Sequence, residues 1–335
     1  MNYGETAFHQ STKATDMTSA NELNPQLLIV TPVYEDRDAL RALLGDLSKH
    51  ISGAFTVIAI DDGSLREPID SADLFKAYGI KGYVLKLFRN VGHQRAIAVG
   101  LSFVVQNFHG PRAVVVMDSD GEDSPSSVAF LLTELGDPNI DVVVASRASR
   151  IESLHFKCFY QLYKIFFKLM TGRTISFGNF MVLKSSAADR LAGMAETQIH
   201  LAASVLSSKL RVQEVITHRF PRYAGHSKMN FVELVLHGFR GMMVFAENVL
   251  VRVGIICGVI ALLSILLMLM AVALKAAGIA TPGWFSVALG LLILIIIQMG
   301  ALALTMLLMT GNLKTNQTNP IEQNLKLIKD IKHGG

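Results

Sequence analysis

Only two cysteines and one tryptophan occur in these 335 residues. Cys158 and Cys257 stand 99 positions apart, the second inside a long apolar run. That usage offers neither a disulfide framework nor a cysteine-ligated zinc site. No apolar core follows the first methionine, so no secretory signal is expected. Basic residues are not interleaved with aromatics in any recognition motif, which argues against nucleic acid as a partner. Charge is missing over long stretches. From Val253 to Leu274 there are 22 residues without a charged side chain, bounded by Arg252 and Lys275. A second uncharged span runs from Ala276 to Leu313, with its apolar part from Trp284 to Met309.

Hydrophobic residues make up 51% of the chain, and the excess sits in those two spans. Twenty-two helical residues reach about 33 Å, enough for a hydrocarbon core of roughly 30 Å. The link "KAAGIATPGW" supplies Gly278, Pro282 and Gly283 for a turn. Residues 250–313 therefore read as a transmembrane hairpin. The competing reading, two helices of a soluble core, is disfavoured because core helices usually keep a polar stripe. Lys275 is the one basic residue at the tip. Arg240 and Arg252 precede the hairpin, and Lys314, Lys326, Lys329 and Lys332 follow it. Positive residues stay cytoplasmic, so both termini and the N-terminal domain are expected on the cytosolic face of an inner or plasma membrane.

Residues 1–150 carry 13 basic and 19 acidic side chains, residues 151–335 carry 18 and 8. A basic half beside a membrane hairpin suits anionic lipid headgroups. Two segments ahead of the hairpin, "LHFKCFYQLYKIFFKLM" (154–170) and "FVELVLHGFRGMMVFAENV" (231–249), are too charged to span and too apolar to be fully solvated. They read as interfacial helices, with ordinary packing on the domain as the alternative. Residues 1–26 are polar and aperiodic, a disordered tail, and residues 314–335 are a basic cytoplasmic tail.

Between 27 and 230 strand and helix patterns alternate. "LLIVTPVY" (27–34), "FTVIAIDDGS" (55–64), "YVLKLF" (83–88), "AVVVMD" (113–118) and "DVVVAS" (141–146) read as buried strands. Leu40, Leu43, Leu44 and Leu47 mark one helix, "QRAIAVGLSFVVQNF" (94–108) a second, and Ser124-Pro125 caps a third that runs to Leu135. Continuous apolar strands alternating with helices predict an α/β domain with a mainly parallel, Rossmann-like sheet covered on both faces. Ligands of such sheets bind beyond the carboxyl ends of the strands. There the sequence places Thr31, Pro32, Tyr34 and Glu35; Asp61 and Asp62; Arg89, Asn90, His93 and Gln94; and the cluster Asp118, Asp120, Glu122 and Asp123.

Asp118 and Asp120 lie two apart, so on an extended chain both side chains leave one face. Two carboxylates on one face repel unless a cation lies between them, and Mg²⁺ or Mn²⁺ suits oxygen ligands completed by substrate phosphates and water. Glu122 and Asp123 have a plainer reading, negative charge at a helix start. A polar turn is the alternative for the whole cluster.

"TPVYE", "IAIDDGS", "RNVGHQRAIAVGL", "VVMDSDGEDSP", "VVVASR" and "RYAGHSKM" follow one another in an order and spacing that resembles the family-two glycosyltransferases of GT-A fold. With the hairpin, the chain resembles the polyprenyl-phosphate glycosyltransferases, the group of the dolichol-phosphate mannose synthases, from residue 27 to about 310. The resemblance implies that Pro32, Tyr34, Glu35, Asp61 and Asp62 hold the nucleotide of a nucleotide-diphosphate sugar. It implies that Asp118 and Asp120, the family's DxD, are the catalytic residues that bind Mg²⁺ or Mn²⁺ on the donor diphosphate. Arg147, Arg222, Ser227 and Lys228 are implied to contact phosphate near the acceptor; a guanidinium, a hydroxyl and an ammonium suit that chemistry. His93, Gln94 and Ser176 are placed near the sugar. Ser176 departs from the pattern, standing where many relatives carry an Asp.

The function so implied is inverting transfer of a hexose from a nucleotide-diphosphate sugar, uridine favoured over guanosine, to polyprenyl phosphate at the cytoplasmic face. Its setting is cell-envelope glycan synthesis, by a homo-oligomer in contact with membrane lipid. The alternative is a membrane-anchored scaffold that binds nucleotide sugar or lipid phosphate without turnover. A processive polysaccharide synthase is disfavoured, because a single hairpin makes no channel and the single tryptophan, Trp284, lies within it.

Overall fold

A computed structural model describes residues 27–147, 154–217, 220–223, 231–279, 283–315 and 319–334. The first half runs β1 (Leu27–Val33), α1 (Arg37–His50), β2 (Phe55–Asp61), α2 (Asp73–Lys76), β3 (Lys81–Leu87), α3 (His93–Asn107), β4 (Ala113–Val116), α4 (Val128–Glu134) and β5 (Val142–Arg147). The second runs α5 (Leu154–Thr171), β6 (Phe177–Leu183), α6 (Ser185–Ala192), α7 (Leu201–Ser207), β7 (Val212–Thr217), α8 (Phe231–Met243), α9 (Ala246–Ala276), α10 (Trp284–Thr315), α11 (Pro320–Leu325) and β8 (Ile328–Gly334).

The sequence periodicities account for the two layers on the sheet. On α1 the four leucines at 40, 43, 44 and 47 are all fully buried, against one face of the sheet. Each such burial removes apolar area worth about 1.5–3 kcal/mol. On the other face α3 is buried along most of its length. It lies so close to the sheet that a Cβ on Gly100 would come within 2.6 Å of Val30 and 2.7 Å of Ile60. Only glycine permits that approach.

The eight strands form one sheet in the order β7-β5-β6-β4-β1-β2-β3-β8. β1 through β4 are mutually parallel, and β5 is parallel to β7, whereas β6 and β8 run antiparallel to their neighbours. The sheet is mainly parallel, as expected, with β6 and β8 as its antiparallel strands. The strands at 27, 55, 83, 113 and 141 all form, within a few residues of the expected bounds. β4 is the shortest, ending at Val116, two residues before the acidic cluster begins.

The C-terminal residues differ most from the sequence reading. What reads as a basic tail folds back onto the domain. α11 packs on α3, where the buried Asn324 donates to Ser102 Oγ at 3.0 Å. β8 then pairs with β3, the His333 ring meeting Tyr83 in a tilted contact with centroids 4.7 Å apart. Lysines at 329 and 332 along an edge strand gave no apolar alternation to announce it.

Between the domain and this return lie α9 and α10, with spans Ala246–Ala276 and Trp284–Met309 of mean hydropathy 3.0 and 2.7. They pack on each other, yet only 17% and 0% of their apolar windows are buried. Soluble core helices would be covered, so these two are long, apolar and exposed enough to cross a membrane. At the tip Lys275 lies 4.0 Å over the Phe285 ring. At the base Arg252 of α9 donates to the Leu169 carbonyl of α5 at 2.9 Å. Ile165, Phe166 and Leu169 on α5 and Leu236, Phe239 and Met243 on α8 are exposed. Residues 1–26 lie outside the described residues.

Candidate active site

β1 stands between β2 on one side and β4 on the other, so the chain reverses its winding there. In open α/β sheets the crevice at that point, outside the strands' carboxyl ends, is where ligands bind. The carboxyl ends of β1, β2, β3, β4 and β5 and the amino end of β6 all reach this edge.

Beyond β4 the chain does not continue extended. Residues 117–123 form a turn, so the alternation expected to put Asp118 and Asp120 on one strand face does not apply. Hydrogen bonds within the turn set their directions instead. The Asp118 N–H donates to Asp123 Oδ2 at 3.1 Å, and the Glu122 N–H donates to Asp120 Oδ1 at 3.0 Å. Asp123 and Glu122 therefore brace the turn; the helical part begins only at Pro125, capped by Ser124, which accepts from the Ser126 N–H. Gly121 has φ +87°, and a Cβ there would meet the Tyr223 ring at 2.6 Å. Tyr223 in turn donates its N–H to the Asp120 carbonyl at 2.9 Å and its hydroxyl to Asp46 of α1 at 2.8 Å.

Each catalytic candidate meets a basic side chain. His93 Nε2, at the start of α3, lies 3.1 Å from Asp118 Oδ1. Burial disfavours charge on that ring, but Asp118, with Asp120 and Asp123 beyond it, outweighs burial and raises the imidazole pKa. Arg222 Nη2 lies 3.0 Å from Asp120 Oδ2, and its Nε donates to Glu122 at 3.1 Å. The acidic turn is thus held between a histidine and an arginine. Its donor set is all carboxylate oxygen, which fits a hard divalent cation. No three His, Cys, Asp or Glu side chains converge on a metal position among the described residues. A bound ion would therefore complete its shell with phosphate oxygens and water, as Mg²⁺ commonly does.

His93 and Gln94 are joined by a residue absent from the sequence reading, Asn179 of β6. Leu201 presents a backbone N–H, which can only donate, and Gln94 Oε1 accepts it at 2.6 Å. Gln94 Nε2 then donates to Asn179 Oδ1 at 3.0 Å, leaving the Asn179 amide nitrogen 2.9 Å from His93 Nε2. The chain of amides ties α3, β6 and α7 together behind the acidic turn. Nothing local in "SFGNFMVL" marks Asn179; its partners lie 85 and 86 positions away. His200, a further histidine, is structural: it caps α7 through Nδ1, and burial beside His237 lowers its pKa to about 3.

The residues assigned to the nucleotide are close to one another, and most already bind this chain's own backbone. Asp61 is fully buried and accepts from the N–H groups of Ser64 at 2.9 Å and Ile69 at 3.1 Å. Asp62 accepts from Val91 at 2.7 Å and Gly92 at 3.0 Å, and burial raises its pKa to about 6 against those two bonds. Glu35 accepts from the N–H groups of Leu65, Arg66 and Glu67, which lowers its pKa, and adopts φ 48°, unusual for a non-glycine residue. Pro32 lies inside β1. Its nitrogen faces β4, which has already ended, so no ladder bond is lost. Tyr34 is 45% exposed at the strand end.

Ser176, just before β6, donates to Glu214 of β7 at 2.7 Å, so a carboxylate from the strand beyond β5 stands beside this position. Arg147 ends β5 at this edge; its side chain, and all of Ser227 and Lys228, lie outside the described residues. Arg222 is not an open phosphate ligand here but a bridge between Asp120 and Glu122.

Comparison with known proteins gives a family and several relatives. Residues 28–188 match the family model described as Glycosyl transferase family 2. A Bacillus subtilis protein named "Uncharacterized glycosyltransferase YkcC" is 23% identical over 231 residues, 67% of this chain and 69% of that one. The "Undecaprenyl-phosphate 4-deoxy-4-formamido-L-arabinose transferase" of Yersinia pestis is 24% identical over 226 residues, 65% of this chain and 66% of that one. Among solved structures, glucosyl-3-phosphoglycerate synthase from Mycobacterium tuberculosis, in complex with Mn²⁺, UDP-glucose and phosphoglyceric acid, superposes with TM-score 0.47 at 16% identity. That superposition covers 68% of this chain and 80% of that one.

Proposed function

We propose, from the premise that residues 28–188 form a family 2 glycosyltransferase domain and the chain is therefore a glycosyltransferase, that it moves a sugar from a nucleoside-diphosphate donor to a polyprenyl phosphate at the membrane surface. The observation that carries this reading is the acidic turn of Asp118 and Asp120, set at the switch point of the sheet in a chain with a lipid-length hairpin. The Yersinia relative, named for transfer to undecaprenyl phosphate, supports a lipid phosphate as acceptor.

Asp118 and Asp120 would hold Mg²⁺ or Mn²⁺, which when bound offsets the charge of the departing diphosphate. The rest falls to the chain's own groups. A lipid phosphate has a second pKa of about 6, so its oxygen is largely ionised at neutral pH and no general base is needed. Positioning is the protein's main contribution. Arg222, which now bridges Asp120 and Glu122, would meet phosphate by exchanging those partners, and Arg147, Ser227 and Lys228 would add further donors. Tyr34 and the loops braced by Glu35 and Asp62 form the wall for the nucleotide. Attack in line with the leaving diphosphate inverts the anomeric carbon.

Because β8 pairs with β3, the polypeptide leaves the domain through α9 and returns to it after α10. Both ends of a membrane-crossing hairpin then lie on the domain's side, and the basic residues there favour the cytoplasmic face. UDP-sugars are the favoured donors.

Membranes carrying the full chain, given a panel of UDP- and GDP-sugars, Mn²⁺ and undecaprenyl phosphate, are expected to form a lipid-linked sugar. The Asp120→Ala variant is expected to insert normally and form none. Product from that variant, or none from the native chain with any donor, overturns the reading.

A further inference from the structure

We propose that Asn179 is a positioning residue for the acidic turn: it gives His93 Nε2 a hydrogen-bond donor and so leaves Asp118 to a divalent cation. This rests on the reading of Asp118 and Asp120 as the seat of that cation.

The backbone N–H of Leu201, the first residue of α7, can only donate. Its partner at 2.6 Å must be the oxygen of the Gln94 carboxamide, which fixes how that amide is turned. The Gln94 nitrogen then faces Asn179 at 3.0 Å, and as a donor it requires the Asn179 oxygen there. Only the Asn179 nitrogen is left to meet His93 Nε2, at 2.9 Å. Turning Asn179 round would set two donors against each other at Gln94, and turning Gln94 with it would move that clash to Leu201. Gln94 is buried, so a mismatch there would leave a polar group unsatisfied, which is costly. The chain of amides therefore has one direction, and it arrives at His93 as a donor.

The same ring nitrogen lies 3.1 Å from Asp118 Oδ1. An imidazole nitrogen has a single in-plane position, filled by a hydrogen or by a lone pair. With a hydrogen it donates to Asp118 and sets donor against donor at Asn179. With a lone pair it accepts from Asn179 and turns no donor toward Asp118. Asn179 and Asp118 thus compete for one atom. When His93 bonds to Asn179, the carboxylate keeps an oxygen for a hard cation. The histidine meanwhile loses nothing, because its replacement partner is held in place by α3, β6 and the backbone of α7. Asn179 acts on the acidic turn only through His93.

The test uses the substrate-free full chain in mild detergent, with Mn²⁺ binding followed by EPR and a melting temperature taken for each variant. Asn179→Leu keeps the size of the side chain and removes both of its hydrogen bonds. It is expected to weaken Mn²⁺ binding about tenfold, because His93 is then left to Asp118. His93→Phe removes the competitor and is expected to bind Mn²⁺ at least as tightly as the unaltered chain. In that background Asn179→Leu is expected to change Mn²⁺ affinity by less than about twofold. Asn179→Ala serves for the same pair of measurements if the leucine variant does not fold. Equal losses in the two backgrounds would show that Asn179 acts without His93, and they overturn the inference. Unaltered Mn²⁺ binding in Asn179→Leu overturns it as well; a raised KM for the nucleotide sugar in that variant would then mark Asn179 as a direct donor contact. Mn²⁺ binding that survives Asp120→Ala, or none by the unaltered chain, overturns the metal site itself, and the inference falls with it.

Discussion

Arg222 lies 3.0 Å from the carboxylate of Asp120, the residue expected to hold a divalent cation. A guanidinium and a metal ion both seek the same oxygens, so they compete unless the carboxylate serves both at once. Removing the arginine charge, as in Arg222→Gln, is expected to raise Mn²⁺ affinity several-fold while lowering sugar transfer at least tenfold. The second effect follows from the loss of a cation beside the phosphates. Calorimetric or EPR titration of the substrate-free protein with Mn²⁺ measures the first, and an initial-rate assay the second. An unchanged Mn²⁺ affinity would show that arginine and metal occupy separate lone pairs.

Asp62 gives a pH dependence whose sign is fixed. Burial raises its pKa from 3.8 to about 6, even though two backbone N–H groups favour the ionised form. Between those values the folded chain binds more protons than the unfolded one. The stabilising contribution of the neutral acid is complete below about pH 4 and is lost as pH rises through about 6. Other carboxylates, such as Asp141 with its pKa lowered to about 2 by Arg211, act in the opposite direction at more acid pH. The difference in melting temperature between the native chain and Asp62→Asn should therefore change across pH 4 to 6 and be flat from 7 to 8. A difference that is constant throughout would place the ionised form in the fold at every pH.

Gly121 is needed twice, for its φ of +87° and for the space its missing Cβ leaves to the Tyr223 ring. Gly121→Ala should lose both, costing about 1–3 kcal/mol and disordering the Asp120 turn. Pairing it with Tyr223→Ala should recover the steric part and leave the backbone part. Thermal unfolding of the two single variants and the double variant separates them, and strict additivity would mean that ring and turn do not touch.

How far the sequence could be read depended on whether the signal was local. Leu40, Leu43, Leu44 and Leu47 repeat at helical spacing, and their burial followed from the pattern alone. The apolar strands and the hairpin are equally local. Asp118 and Asp120 stood out because four carboxylates crowd one strand end. Their orientation did not, since it depends on Gly121, Tyr223 and Arg222, two of them a hundred positions away. Asn179 was invisible for the same reason: it acquires meaning only when β6 brings it beside α3. Glu35 and Asp61, acidic residues at the ligand-binding edge, also hold backbone N–H groups, which no local pattern announces.

β8 is the element with the weakest local pattern, and its contribution can be measured. Truncation after Lys326 would turn β3 into a free edge, leave the Phe88 N–H without the Leu327 carbonyl it now meets at 3.1 Å, and remove His333 from the Tyr83 ring. Each lost ladder bond is worth about 0.5–1.5 kcal/mol net, and aromatic contacts add about as much again. A loss of about 2 kcal/mol or more should lower the domain's melting temperature by roughly 4–8 °C. His333→Ala alone should lower it by a fraction of that. The hairpin itself should still insert, because its apolar length is unchanged. A truncated chain that melts with the native one would mean that the strand is ornamental to the sheet, and with it would go the covalent reason for placing both ends of the hairpin on the side of the domain.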